Sequence, residues 1–356
     1  MSFIVRRITR TPGTRTLSTS VRRMRGAGLA EVQARPTYTH KFLKDPPTVA
    51  VVGCPFSAGQ ARPGVDLGPN ALVQSGLLDQ IKSLGWNVTY DGAAPFADIP
   101  RASVQEAREH ETGEGKMRNA RVVSEVCERL AKVVAEHAAR GELPVTVGGD
   151  HSLALGSIAG TMSKHPDACV LWIDAHADIN TPLTTTTGNL HGCPVSFLLG
   201  LQGTDVEPFK GWVKPCLRPD RLVYIGLRDV DPAEKRILRE NNIKCFTMHD
   251  VDKHGIGACV KMALEHVNPR GERPVHLSFD VDATDPTVAG STGTPVRGGL
   301  TFREGHYICE AVAETGCLVA LDIMEVNPTL GDDKLVEQTV AVGCSLTRAA
   351  LGETLL

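Results

Sequence analysis

Short apolar runs rich in β-branched residues recur along this chain, and stretches with helical spacing separate them. Residues 48–52, 144–147, 169–173, 222–225, 275–279 and 317–323 read as buried strands, several closed by glycine or an acidic residue. The spacing predicts a helix over 119–139, with Val122, Val126, Leu130, Val133 and Val134 on one face and a stop at Gly141. Further helices are predicted over 232–240, 257–267 and 340–351. Strands that alternate with helices imply crossover connections, and therefore a sheet covered on both faces. The expected fold is α/β, with three α/β/α layers around a mostly parallel sheet. No internal repeat and no linker rich in Gly or Ser interrupts the pattern, so residues 41–356 read as one domain.

The first 40 residues differ. Arg6, Arg7, Arg10, Arg15, Arg22, Arg23 and Arg25 precede the first acid, Glu31, among many Ser and Thr. That is the composition of a mitochondrial presequence, so a mitochondrial location is expected, with the cytoplasm as the alternative. The chain has 356 residues, 42% of them hydrophobic, enough for a large core. A net charge of -3 argues against a general nucleic-acid binder, because phosphate binding needs a basic surplus. No stretch approaches 18 uncharged apolar residues, so no membrane span is expected. Ten Cys lack paired zinc-ribbon spacing and read as reduced thiols of an intracellular protein.

Polar residues gather at the carboxyl ends of the predicted strands, the edge where parallel α/β sheets bind ligands. Three segments stand out: Gly148-Gly149-Asp150-His151-Ser152, Asp174-Ala175-His176-Ala177-Asp178, and Asp280-Val281-Asp282. In extended chain, side chains alternate faces, so Asp174, His176 and Asp178 are expected to point one way, as are Asp280 and Asp282. With His151 they make two imidazoles and four carboxylates. Buried together, the acids would repel one another unless something positive sat among them. The set is oxygen-rich and lacks thiolate, which suits Mn(II) or a similar divalent ion better than structural zinc. Six ligands exceed the needs of one ion, and two ions roughly 3.5–4 Å apart can activate a shared water. Four Asp, two divalent ions and one hydroxide sum to -1, which a cationic substrate would complement. Each segment alone has a plain alternative, an Asp after a strand often being a helix cap.

Together these segments resemble the arginase (ureohydrolase) family. The resemblance continues through Asn180-Thr181-Pro182, Gly188-Asn189-Leu190-His191-Gly192, Ser278-Phe279-Asp280-Val281-Asp282-Ala283, Gly293-Thr294-Pro295 and Met324-Glu325-Val326-Asn327-Pro328. It spans about residue 48 to about 345. The resemblance implies a binuclear manganese hydrolase of arginine metabolism that converts L-arginine and water to L-ornithine and urea. It implies two Mn(II) per subunit. His151, Asp174, Asp178 and Asp280 would bind one ion, and His176, Asp174, Asp280 and Asp282 the other. Asp178 sits where the family holds a metal-bridging hydroxide, Glu325 where it pairs with the guanidinium, and His191 where it places a proton-shuttling histidine. Asn180, Thr187 and Asn189 match positions that meet the substrate's α-carboxylate, and Asp231 and Glu234 match those that meet the α-amino group. Thr294 lies in the same resemblance as a substrate-side residue. The family also implies a homo-oligomer, a trimer with a hexamer as the alternative.

Thr187 departs from the Ser found in many arginases, which keeps a hydroxyl but adds a methyl. Asp231 and Glu234 also read as helix-start acids beside Pro232. Two rival functions stay open at this point. One is agmatinase, whose substrate lacks the α-carboxylate, or another guanidino hydrolase. The other is a metal-poor relative that binds arginine or a partner enzyme without catalysis. A chain begun near Lys41 is expected to keep full turnover; loss of activity with the fold intact, read by circular dichroism, would refute a purely targeting role for the first segment.

Overall fold

Eight strands form a single sheet in the computed structural model, which describes residues 39–99 and 116–354. The presequence expected over residues 1–40 lies outside the described residues but for its last two. In chain order the strands are β1 (Thr48–Cys54), β2 (Asn87–Tyr90), β3 (Leu143–Gly148), β4 (Cys169–Ile173), β5 (Leu222–Leu227), β6 (Lys244–Thr247), β7 (Val275–Asp280) and β8 (Leu318–Met324). They lie in the order β2-β1-β3-β8-β7-β4-β5-β6, and every neighbouring pair is parallel.

Alternation within the strands makes both faces apolar. Cys169, Leu171 and Ile173 of β4 enter one core, Val170 and Trp172 the other. The first core is covered by α1 (Gly68–Gln74), α2 (Leu77–Ser83), α7 (Met248–His254), α8 (Ile256–Val267), α9 (Phe302–Glu314) and α10 (Asp333–Ala350). The second is covered by α3 (Ala120–Ala139), α4 (Ala154–Lys164), α5 (Pro194–Leu199) and α6 (Pro232–Glu240). The expected three-layer α/β/α architecture is therefore present.

The differences from expectation have local causes. The edge strands β2 and β6 have only four residues each; all four of β2 and three of β6 are exposed or half-buried, so they carry no continuous apolar run. The last helix starts at Asp333, not at 340, because Asp332 caps it by accepting from the Leu335 amide at 2.9 Å. Its first turns face solvent, and that hides them from an apolar count.

The order of the sheet decides where the chemistry sits. β3, β8, β7 and β4 are the four central strands, and their carboxyl ends lie side by side. They deliver, in that order, His151, Glu325, Asp280 with Asp282, and Asp174 with His176 and Asp178. The turn leaving β3 has no room for side chains. A Cβ on Gly149 would lie 1.7 Å from the Phe56 carbonyl oxygen, and one on Gly148 would lie 2.0 Å from Met324 Sδ. Gly149→Ala must displace backbone, so it is expected to destabilise by about 3 kcal/mol or more in denaturant titration, the upper end of overpacking effects.

Candidate active site

Four strand ends bring the candidate ligands together, but not by the extended alternation expected from sequence. β4 ends at Ile173, and residues 174–178 bend away; Asp178 has φ 48°, in the left-handed region. Asp280 is the last residue of β7, whereas Asp282 already lies in the following 3-10 turn. The expectation that alternation alone aligns these side chains is therefore corrected: turns do it. Each turn is held by its own first acid. Asp174 Oδ1 accepts from the His176 amide at 2.7 Å, and Asp280 Oδ1 from the Asp282 amide at 2.8 Å.

The side chains nevertheless converge. Nδ1 of His151 lies 3.1 Å from Asp174 Oδ2, 3.2 Å from Asp280 Oδ2 and 3.5 Å from Asp178 Oδ2. Nδ1 of His176 lies 3.3 Å from Asp174 Oδ1 and 3.2 Å from Asp282 Oδ2. Two ligand groups result, His151 with Asp174 and Asp178, and Asp174 with His176 and Asp282. Within each group the candidate atoms lie within 4.8 Å of one another, and Asp174 belongs to both. Thr294 donates to Asp282 Oδ2 at 2.8 Å, so the structure places it as a brace on a ligand. All of these acids are buried, and His176 is partly exposed.

Charge in this space is under tension. Burial and the neighbouring Asp174 push the Asp178 carboxyl well up. Burial, then Asp282 and Asp174, do the same to Asp280. Asp282 is raised by burial against the pull of His176. Burial opposes the charged form of His151, yet Asp174 and Asp280 hold its pKa well above the usual imidazole range. For Asp174 burial is outweighed by His151 and His176, which keep it low. Without cations, the cluster must take up protons to coexist. Divalent ions would replace those protons, and the oxygen and imidazole donors fit them.

Glu325 follows β8 with φ 65°, a second left-handed residue among the catalytic candidates. Its Oε1 accepts from the His151 amide at 2.9 Å and lies 3.6 Å from His191 Nδ1. Gly293 lies beside its other oxygen, where a Cβ would come to 3.5 Å from Oε2. His191 sits in a 3-10 turn (Leu190–Gly192) fixed by its amide to the Gly59 carbonyl at 3.0 Å. Burial lowers its basicity, but Glu325 and Asp150 raise it on balance.

A cavity of about 160 Å³ opens above the cluster. Thr187, Asn189, His191, Asp231, Asp280 and Thr294 are among the residues that line it. Asn180 reaches Asp231 Oδ2 at 2.9 Å, and Thr187 Oγ1 accepts from the Asn189 amide at 3.1 Å. Asp231 and Glu234 form the capping box of α6. Asp231 stays exposed at the rim, but both oxygens of Glu234 are committed, to the Ile179 amide at 3.1 Å and the Asp231 amide at 3.0 Å. Glu234 therefore positions the rim, while Asp231 stays exposed beside the cavity with Oδ2 accepting from Asn180.

Sequence reasoning missed two supports. Trp172 stacks on His151 with ring centroids 4.2 Å apart and donates to Asp174 Oδ2 at 2.9 Å. Arg228 donates to the carbonyls of Gly226, Asp282, Ala283, Thr284 and Val296, stapling the loops after β5 and β7. Nothing in a linear pattern marks either, because most of the partners come from distant parts of the chain.

An α/β sheet whose central strand ends hold two overlapping ligand groups beneath a polar cavity defines a metal-dependent hydrolase. The arginase family model matches residues 47–352. The arginase of Glaciozyma antarctica is 58% identical over 325 residues, covering 89% of this chain and 91% of that protein. The crystal structure of a cold-adapted arginase from that yeast superposes with a TM-score of 0.73 at 52% identity, covering 90% of this chain and all of that one. The structure of Entamoeba histolytica arginase in complex with L-ornithine gives a TM-score of 0.74 at 27% identity, over 86% of this chain and 98% of that one. The chain belongs to the arginase family.

Burial raises Glu234 to about 7. An unfolded glutamate loses its proton near 4.5, so between about pH 4.5 and 7 the folded protein holds a proton that the unfolded chain lacks. Stability contributed by this group therefore falls as pH rises through that window, by on the order of 3 kcal/mol. Glu234→Gln keeps one accepting oxygen, which can still cap the Asp231 amide, gives up the second acceptor, and cannot titrate. In the metal-free protein it is expected to flatten this part of the decline, measured as urea midpoints from pH 4.5 to 7; an unchanged slope would refute the assignment.

Proposed function

We propose that this chain hydrolyses L-arginine to L-ornithine and urea with two manganese ions per subunit. The pair of ligand groups sharing Asp174 carries the reading, because two cations can take the place of the protons that this density of buried carboxylate otherwise demands. Four Asp and two imidazoles without thiolate favour Mn(II) over thiophilic ions. When bound, such a pair supplies a nucleophile drawn from water at working pH.

The chain's own residues supply the rest. The arginine guanidinium stays charged at any physiological pH, so it needs a carboxylate partner. Glu325 offers Oε2, while His151 holds Oε1 in place through its amide. Asp178, which lines the cavity beside the two ligand groups, is suited to steady the proton of the attacking water. Collapse of the tetrahedral adduct expels an amine that must be protonated. His191, partly exposed and held basic by Glu325, is placed to deliver that proton. At the outer end, Asp231 would meet the α-amino group, while Asn180, Thr187 and Asn189 present amides and a hydroxyl to the α-carboxylate. Identity to relatives named arginase supports arginine over agmatine, which lacks that carboxylate. We further propose a homotrimeric assembly and a mitochondrial location directed by the basic first segment.

The test is urea release by manganese-loaded protein on arginine and agmatine side by side. Arginine is expected to be the faster substrate, with activity rising into mildly alkaline pH; faster agmatine turnover would overturn the choice. Asp280→Ala is expected to cut turnover by more than about 100-fold, beyond the losses typical of outer partners of a metal ligand. Bound manganese should fall with it, and unchanged metal content by elemental analysis would refute the ligand role.

A further inference from the structure

A second buried polar chain runs behind the cluster. Trp172 of β4 is in register with Ser278 of β7, and Ser278 with Asp322 of β8. The row faces α4, whose Ser157 donates to Asp322 Oδ2 at 2.7 Å. His276 Nε2 lies 2.8 Å from the same oxygen, and its Nδ1 lies 3.0 Å from Thr161 Oγ1. Ser278 donates to Asp322 Oδ2 at 3.1 Å, and Ser278 Oγ lies 3.0 Å from His151 Nε2. His151, Ser157, Ser278, His276 and Asp322 are all essentially inaccessible to solvent. Asp322 Oδ1 has no hydrogen-bond partner among the described residues.

The direction of these bonds is not arbitrary. An ionised carboxylate only accepts, so the single hydroxyl proton of Ser278 is drawn to Asp322. The lone pairs of Ser278 Oγ are then what His151 Nε2 meets, and that nitrogen must carry the ring proton. In the neutral ring that ligation requires, Nδ1 is left with its lone pair, and Nδ1 is the atom that faces Asp174, Asp178 and Asp280. A neutral amide at position 322 could donate to Ser278, turn its hydroxyl towards His151 and move the ring proton to Nδ1. Packing alone gives no reason for a buried anion with one oxygen unpaired, since such a group is costly.

We infer that Asp322 is a positioning residue for the metal centre, which acts through Ser278 to keep the His151 ring proton on Nε2 and its Nδ1 lone pair aimed at the ion. This rests on the metal reading proposed above. The experiment compares wild type, Asp322→Asn, Ser278→Ala and the double variant, each stripped with chelator and titrated calorimetrically with Mn(II). Co(II) absorption provides a second readout. Wild type is expected to bind two ions. Asp322→Asn should weaken one of them by about 10–100-fold and alter the cobalt band, with the metal-free melting temperature little changed. Ser278→Ala should weaken the same ion, and Asp322→Asn should add nothing in that background. Wild-type affinity for both ions in Asp322→Asn would overturn the inference, as would an equal further loss in the Ser278→Ala background. Should Asp322→Asn fail to fold, Ser278→Ala still decides, since undisturbed binding there breaks the relay. Wild-type protein that takes up no ion would overturn the metal reading and this inference together.

Discussion

Mutual repulsion among buried carboxylates is the constraint on which the site depends. Asp174, Asp178, Asp280 and Asp282 occupy one small volume with two imidazoles, and burial pushes three of the four acids towards their protonated forms. Such a cluster is unstable as isolated anions and stable around cations. Much of the architecture serves to hold it. Four central parallel strands place their carboxyl ends side by side, tight turns point the acids inward, and helices on both faces exclude water. The two left-handed residues of the candidate site, Asp178 and Glu325, fall after β4 and β8, where the chain must turn a charged side chain inward.

Around that fixed centre the outer parts of the site are loops tied to one another. The segment after Asp178 folds back so that the Asn180 amide meets the Gly192 carbonyl and the Val195 amide meets the Asp178 carbonyl. Residues 116–118 strap its far side through the Pro182 and Gly188 carbonyls. Glu234 holds the amides of Ile179 and Asp231 from beneath. The rim thus inherits rigidity from backbone contacts, while hydroxyls and amides remain available for a ligand. A charged substrate end can then be read by geometry as well as by charge.

Much of this was legible in the linear pattern. The strands at 48–52, 144–147 and 275–279 lie within β1, β3 and β7, and the helix at 232–240 coincides with α6, because long apolar periodicity survives without knowledge of neighbours. The edge strands β2 and β6 did not announce themselves, being short and half exposed. Within the site, His151, Asp174, His176, Asp178, Asp280 and Asp282 could be gathered from three local motifs. The reason for their convergence could not: extended alternation was the natural expectation, and bends and 3-10 turns are what the chain uses. The supporting roles of Trp172, Ser278, Asp322 and Arg228 were not legible, since they depend on partners from distant parts of the chain.

By itself, the order of residues determined the class of fold, the ligand types and the family, because periodicity and short motifs are local properties of a chain. Tertiary structure alone decided that β8 and β7 insert between β3 and β4, and that placement sets Glu325 and Asp280 beside His151 and Asp174. It also decided that Glu234 faces backbone amides while Asp231 faces the cavity, and that a serine and an aspartate on neighbouring strands line up behind a histidine. Register between strands distant in sequence has no local signature; it follows from the packing of the whole sheet.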